Sequence, residues 1–169
     1  MGKERKVMES GEHRANHVPP GEGKMFWVVG DLVTFKIASE NVNGAFTLGE
    51  EITPPQGGPP PHVHTREDET FYVLEGELEF MVGEQTLLAS AGSVVYVPKN
   101  IRHAFKNIGP TPSRMAVLIT PGGLEKMFEE FGEPVTDPSS PPEGPPDVER
   151  LVAVSQKYGV QVLPSPPHN

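Results

Sequence analysis

Cysteine is absent from this sequence of 169 residues. Disulfide bonds and thiolate metal ligands are therefore excluded, which suits the reducing cytoplasm, where we expect the protein to reside. The sequence also lacks any apolar run near the roughly 20 residues that a helix needs to cross a bilayer. Its first residues, MGKERKVMES, contain no apolar region of the kind found in secretory signals, so we expect neither such a signal nor a membrane partner.

Basic residues are scarce relative to acidic ones. The chain has 14 Lys and Arg against 23 Asp and Glu, which gives a formal net charge of −9 at pH 7. A surface with this charge repels both nucleic-acid backbones and anionic membranes. No DNA-binding unit is visible either, so we expect a small molecule as the partner.

Turn-forming residues divide the chain into short segments. The 18 Gly and 20 Pro are clustered, and apolar or alternating runs lie between them at 26–29, 32–37, 45–52, 71–74, 78–82, 85–88, 93–97, 103–106 and 115–120. Short strands at such even spacing predict an all-β sandwich or barrel. We expect 71–74 to pair with 78–82 as one hairpin, and 78–82 with 85–88 as the next.

The chain length and the pattern together predict one domain with tails. Residues 1–24 are polar and charged and predict a flexible N-terminal arm. The strands occupy residues 25–121, and residues 122–169 predict a helical and Pro-rich extension that packs on them.

Two helices are predicted in this extension. The first has apolar residues at helical spacing and ends before Gly132; these residues are Leu124, Met127, Phe128 and Phe131. We expect it to pack on the outer sheet or on a dimer partner, although a lid over the barrel opening is an alternative. Asp147 predicts the cap of the second helix, whose apolar positions are Val148, Leu151, Val152 and Val154.

His62 and His64 are the first candidate metal ligands. They are two residues apart, so on a strand their side chains point to the same face. Glu69 begins another apolar strand, and a turn over residues 65–68 predicts that this strand folds back on the histidine strand. Two imidazoles and a carboxylate suit a divalent metal, and His103 is the candidate for a fourth ligand. His13 and His17 have helix-like spacing, but nothing in the polar arm fixes them, so they are left out of the predicted site.

The first half of this pattern resembles a motif of the cupin family. That motif is G-x5-H-x-H-x3,4-E-x6-G, and His62, His64, Glu69 and Gly76 match it. The opening glycine is displaced by one place, to Gly57. This departure does not involve a ligand.

The second half resembles the second cupin motif, G-x5-P-x-G-x2-H-x3-N. Gly92, Pro98, His103 and Asn107 occur at the expected spacings, while Asn100 replaces the motif's central glycine. Asparagine is the non-glycine residue that best tolerates a positive φ, so we expect the turn to survive. Other stretches, among them VPKNIRHAF and the late KYGV, look like single-barrel cupins of the quercetinase-like group.

This resemblance implies a cupin jelly-roll β-barrel, usually dimeric, with one metal held in its mouth by His62, His64, Glu69 and His103. Three imidazoles and one carboxylate suit Fe, Mn, Co, Ni, Cu or Zn, and ligand type does not choose among them. The same resemblance implies a dioxygenase that oxidises a small chelating aromatic or enolic compound with O2. Glu69 would then accept a proton from a substrate hydroxyl, or it is only a structural ligand. A non-redox isomerase or cyclase and a non-enzymatic binding module are the alternatives.

The sequence also contains candidates for an apolar substrate pocket, namely Phe46, Phe71, Phe80, Phe105 and Met115. Core packing is the competing interpretation for most of them, because small barrels fill their interiors with such side chains. The loop Arg66, Glu67 and Asp68 is expected to be solvated.

Overall fold

A computed structural model describes residues 15–164 of the chain. In this range twelve strands and two α-helices follow one another in the order β1 (Lys24–Val28), β2 (Asp31–Ile37), β3 (Thr47–Thr53), β4 (His62–His64), β5 (Asp68–Glu75), β6 (Glu77–Val82), β7 (Gln85–Ser90), β8 (Val94–Val97), β9 (His103–Asn107), β10 (Ser113–Thr120), α1 (Glu125–Phe131), β11 (Glu133–Pro134), α2 (Val148–Lys157) and β12 (Val160–Val162). A short 3-10 helix, Ser39–Val42, joins β2 to β3. The expected arm residue His13 lies outside the described range.

The strands form two antiparallel sheets that face each other. One sheet has the order β11-β1-β2-β3-β10-β5-β8, and the other has the order β12-β4-β9-β6-β7. Alternation along the strands places one row of apolar side chains between the sheets. In β10, for example, every second residue is buried. This arrangement confirms the predicted all-β jelly roll.

Aromatic residues from both sheets meet in the core. Phe71 of β5 lies 5.2 Å from Phe80 of β6 and 5.8 Å from Phe105 of β9, measured between ring centroids. Phe80 and Phe105 are 5.6 Å apart. Tilted and edge-on ring contacts at these distances stabilise a core beyond the area that they bury.

Two strand pairings predicted from the sequence are wrong. β5 pairs with β10 and β8, whereas β6 pairs with β7 and β9, so residues 71–74 and 78–82 belong to different sheets. Likewise β5 does not fold back on β4, which pairs with β9 and β12. The turns after His64 and after Glu75 therefore carry the chain across from one sheet to the other. The predicted hairpin of β6 with β7 is confirmed.

Residues that the motifs singled out lie at points where the chain passes from one sheet to the other. Gly76 has a φ of +88°, and a Cβ added to it would lie 2.8 Å from the side chain of Ser113. Asn100 has a φ of +66°, which confirms that asparagine replaces the motif's glycine without loss of the turn. Asn107 is fully buried and donates hydrogen bonds to the carbonyl oxygens of Thr53 and Thr111, at 2.9 and 2.8 Å.

The segment after β10 returns to the two sheets. β12 adds a strand beside β4, and Asp147 caps α2 by accepting a hydrogen bond from the backbone of Arg150, as predicted. At the start of α1 the buried Glu125 carboxylate accepts hydrogen bonds from Ser39, Thr47 and Gly123. Among residues 15–164, neither helix is long and apolar enough to cross a membrane.

Candidate metal centre

Four side chains from three strands converge between the sheets. His62 and His64 project from β4, and His103 is the direct partner of His62 on the adjacent strand β9. Glu69 comes from β5 of the opposite sheet. One ligand atom from each of the four lies within 4.8 Å of the others, and only His62 is more than slightly exposed.

The Glu69 carboxylate is the centre of this cluster. Its Oε2 atom lies 2.9 Å from Nε2 of His103 and 3.3 Å from Nε2 of His64. The imidazole of His62 completes the group, with its ring centroid 4.3 Å from that of His103 and 4.9 Å from that of His64.

Backbone carbonyls orient two of the imidazoles. Nδ1 of His62 lies 2.9 Å from the carbonyl oxygen of Pro60, and Nδ1 of His103 lies 2.9 Å from that of Ile101. A carbonyl oxygen only accepts, so Nδ1 is the protonated nitrogen in both rings. When a metal binds, Nε2 of each neutral ring can present its lone pair to it, as in proteins whose metal-bound histidines are fixed by a second hydrogen bond. In the structure, Nε2 of His103 instead shares a hydrogen bond with the Glu69 carboxylate.

His64 is held differently. Both of its ring nitrogens are buried, and neither has a hydrogen-bond partner among residues 15–164. Glu67 lies on the Nδ1 side, at 3.8 Å, and is itself buried. This corrects the expectation that the loop of residues 66–68 is solvated throughout, because the turn between the sheets folds Glu67 inward while Arg66 stays exposed.

The charges of the cluster suit a cation. Burial raises the pKa of Glu69, but His64 and His103 outweigh this effect and hold that pKa at about 2. Burial lowers the pKa of His62 to about 3, so this ring is neutral at pH 7. Burial also works to lower the pKa of His64, yet the carboxylates of Glu69 and Glu67 bring it above its usual value.

These residues fit a divalent transition metal. Neutral imidazole and carboxylate are its common protein ligands, and the buried imidazole of His64 makes no hydrogen bond within the described residues, which leaves its Nε2 atom available to a metal. The described parts of the chain thus contain a His/Glu group that is suited to hold a metal ion. His17 is exposed and does not belong to this group.

A cavity of about 80 Å³ lies beside the cluster. His62, His64 and Glu69 form part of its wall, and the rest is largely apolar, with Phe71, Phe105, Met127, Phe128, Phe131 and Leu151 among the lining residues. Met127, Phe128 and Phe131 belong to α1, so this helix covers the cavity. The same helix packs on the sheet that contains β1 and β2, as expected, because the ring of Phe128 lies 5.4 Å from that of Phe35, and Phe131 contacts the same apolar cluster.

Two of the five aromatic and methionine residues predicted for a substrate pocket, Phe71 and Phe105, line this cavity. Phe80 and Met115 do not, because both are fully buried in the core between the sheets. Phe46 lies outside the lining as well, just before β3, where its backbone carbonyl packs against Gly122. Alternation along a strand predicts which residues face inward, but it does not predict where between two sheets space remains.

Sequence reasoning missed three polar residues of the cavity wall. Asp31 and Glu51 lie on the neighbouring strands β2 and β3, and Ser155 lies on α2. Asp31 follows a glycine in what reads as an ordinary turn, and Glu51 sits in an alternating strand where a charged residue is expected to face solvent. No sequence signal marks either of them.

Comparisons with known proteins agree with this geometry. Residues 49–120 match the family model described as a cupin domain, a range that includes all four residues of the cluster. The chain is 27% identical to quercetin 2,3-dioxygenase from Bacillus subtilis over 114 residues, and 31% identical to quercetin 2,3-dioxygenase from Aspergillus japonicus over 118 residues. These matches cover 68% and 66% of this chain but only 34% and 33% of the two relatives, so the chain spans about a third of their length.

The fold is also found in solved structures. The crystal structure of a predicted oxalate decarboxylase from Thermotoga maritima superimposes with a TM-score of 0.58 at 21% identity. The superposition covers 62% of this chain and 98% of the other. At this identity the likeness concerns the fold alone.

Proposed function

Since this chain belongs to the cupin superfamily and resembles its quercetin dioxygenase-like group, we propose that it is a metal-dependent dioxygenase acting on a small chelating enolic or aromatic compound. The observation that carries this proposal is the position of the cluster at the wall of an apolar cavity. A compound held in that cavity has its polar end beside His62, His64 and Glu69 and its apolar part against phenylalanine side chains.

The size of the cavity limits what it encloses. At about 80 Å³ it is smaller than the engineered cavity of about 150 Å³ that admits benzene. The cavity therefore encloses the chelating end of a compound, such as an enediol or hydroxyketone unit, rather than a complete system of aromatic rings. Larger substrates require α1 to move, since Met127, Phe128 and Phe131 form its wall on that side.

In this proposal His62, His64, Glu69 and His103 hold the metal. A divalent metal at this site supplies Lewis acidity and, if it is redox-active, electrons for O2 chemistry. Glu69 lines the cavity and is the carboxylate placed to accept the proton of a bound hydroxyl group; because its pKa is about 2, this role requires that the metal lower the pKa of that hydroxyl group. The apolar wall excludes water from the reacting group.

A second candidate is non-redox isomerisation or cyclisation at the same metal. Asp31 and Glu51 favour it, because carboxyl groups with raised pKa values in the same cavity are suited to proton transfer. In that case the substrate rearranges without consuming O2.

Oxygen uptake tests the proposal. The purified protein is analysed for metal, reconstituted separately with each of the six candidate metals, and assayed in an O2 electrode with flavonols and smaller enediols. We expect uptake that depends on both metal and substrate, and we expect Glu69→Gln to bind substrate, retain metal and turn over far more slowly. His17→Ala is the control, because His17 is exposed and outside the cluster. Conversion without O2 uptake would select the second candidate, and tight binding without turnover under any metal would select a binding module.

We also propose that the protein is a homodimer. The outer strands β7 and β8 lie at corresponding ends of the two sheets. They and their neighbour β5 expose large apolar side chains, with Leu88 74%, Val94 60%, Tyr96 57% and Tyr72 45% exposed. Apolar side chains on unpaired sheet edges are typical of surfaces that a second subunit covers.

A further inference from the structure

Asp31 and Glu51 face the same space from adjacent strands. Glu51 of β3 is the direct partner of Val33 of β2, and Asp31 lies two residues before Val33, so the two carboxyl groups project from the same face of the sheet. Both line the cavity that also contains His62, His64 and Glu69. They are therefore separate from the metal cluster in sequence and in sheet position but share its cavity.

The burial of Asp31 is unusual for a carboxyl group. Only 2% of Asp31 is exposed, and its carboxyl group faces Glu51 and Thr53 at hydrogen-bonding range, while its Oδ1 atom makes no hydrogen bond of good geometry within the described residues. Within that same range, no lysine or arginine lines the cavity. A buried carboxylate without a cation is costly, so the group is expected to hold a proton instead.

The pKa values agree with this expectation. Burial raises the pKa of Asp31 to about 7. Burial, followed by the charge of Asp31, raises the pKa of Glu51 well above its ordinary value. The pair consequently retains at least one proton near neutral pH and offers both a hydrogen-bond donor and acceptors.

Ser155 gives an independent indication from another element. It lies on α2, is 1% exposed and lines the same cavity. Its hydroxyl oxygen has no partner in the part of the chain that the structure describes. Ser155 and the Asp31–Glu51 pair thus present buried polar oxygens to one cavity, and a polar occupant of that cavity is favoured because unsatisfied buried groups cost stability.

We propose that Asp31, Glu51 and Ser155 form a second polar site that binds an uncharged hydroxyl or carbonyl group of the ligand. This inference rests on the proposed function in one respect, because it takes the cavity beside the metal cluster to be the ligand site. The ligand is then held at two points, by the metal cluster and by this second site. An anionic carboxylate is disfavoured at the second site, since no cation lines the cavity and the acidic side chains repel it.

Binding of three small probes to the full-length, zinc-loaded protein tests this site without requiring turnover. Hydroxyacetone is uncharged, glycolate is anionic, and ethanolamine is cationic, and all three are of similar size. Glycolate and ethanolamine can chelate the zinc directly, so the calorimetric or NMR affinities are compared between variants of the protein, and the second site is expected to contribute mainly to the binding of hydroxyacetone. Ser155→Ala and Asp31→Ala are expected to weaken its binding about tenfold each. Asp31→Asn, which keeps an uncharged hydrogen-bonding group, is expected to restore most of the affinity.

Ser140→Ala is the matched control, because Ser140 is exposed and outside the cavity. Thermal unfolding and zinc stoichiometry establish that each variant is folded and loaded, and Ser155→Ala decides the question if Asp31→Ala does not fold. The proposal is overturned if hydroxyacetone does not bind, if Ser155→Ala weakens a charged probe as much as it weakens hydroxyacetone, or if Ser155→Ala behaves like Ser140→Ala. If hydroxyacetone binds as expected but no substrate consumes O2, the oxygenase proposal fails and the second site stands.

Discussion

Nδ1 of His64 lies 3.8 Å from a carboxylate oxygen of Glu67, and both side chains are buried. This distance is that of an ion pair rather than a hydrogen bond. When Nε2 of His64 binds a metal, Nδ1 carries the proton, and Glu67 is the buried acceptor on that side. We therefore expect Glu67 to orient His64 when a metal is bound, although Glu67 is not itself a predicted ligand.

We expect Glu67→Gln to weaken metal binding about tenfold, because carboxylates that orient a metal-bound histidine typically contribute 10- to 100-fold to affinity. Competition titrations with Zn²⁺ and a chromophoric chelator measure this change. Glu84→Gln, at an exposed position in the turn after β6, is the control. Equal affinities for the Glu67 and Glu84 variants would contradict the role assigned to Glu67.

Glu125 is expected to be important for stability. Its buried carboxylate accepts hydrogen bonds from the backbone nitrogens of Ser39 and Gly123, each at 3.0 Å, and from the hydroxyl of Thr47 at 2.5 Å. Glu125→Ala leaves these donors without a partner, so we expect the free energy of unfolding to fall by about 2–4 kcal/mol in urea titrations.

A surface residue on the same helix provides the comparison for Glu125. Glu129 of α1 forms ion pairs with Lys24 and Lys126 at the surface, and we expect Glu129→Ala to cost less than about 1 kcal/mol. If both alanine variants lose the same stability, the buried network of Glu125 does not act as described.

Asp31 predicts a specific dependence of stability on pH. Its pKa is about 7 in the folded protein, against an ordinary value of 3.8. Between these values the folded state binds more protons than the unfolded state, so the free energy of unfolding falls as the pH rises. We expect Asp31→Asn to remove this contribution and to be more stable than the wild type above pH 7. Urea titrations from pH 4 to pH 8 measure the difference, and parallel profiles for the two proteins would refute it.

If the exposed apolar side chains of β7 and β8 form a dimer interface, a charge placed among them is expected to prevent dimerisation. Leu88→Glu places a carboxylate on this surface, and we expect the variant to be monomeric in light scattering after size-exclusion chromatography. Val148→Glu is the control, since Val148 is 57% exposed on α2, away from these strands. A wild type that is itself monomeric, or a Leu88→Glu variant that remains dimeric, would exclude an interface there.

Sequence patterns predicted the positions of the strands more accurately than they predicted which strands pair with each other. Alternation identifies the buried face of β5, where Glu69, Phe71 and Val73 point inward, because side chains alternate along any strand. It does not specify whether the next strand pairs with β5 or crosses to the other sheet. A short turn such as Glu75-Gly76 looks the same in both cases, which is why the predicted hairpin of β5 with β6 was wrong.

The same distinction applies to the site. Spacing and residue type selected His62, His64, Glu69 and His103, which the fold brings together. This reasoning could not identify Glu67, Asp31 and Glu125, because nothing in the sequence distinguishes a buried acidic residue from an exposed one. Their burial follows from long-range packing, such as the contact of the first residue of α1 with the 3-10 helix Ser39–Val42.

Metal binding by the four-residue cluster is tested most directly by measuring how many metal ions each chain binds and with what affinity. Equilibrium titration of the purified protein with Zn²⁺ or Co²⁺ is expected to show one ion per chain. His64→Ala removes a ligand and is expected to lower the affinity by at least about 100-fold, more than the loss of an orienting group would. His17→Ala is expected to bind as the wild type does. A protein that binds no stoichiometric metal, or one whose affinity changes equally in the His64 and His17 variants, would contradict the account.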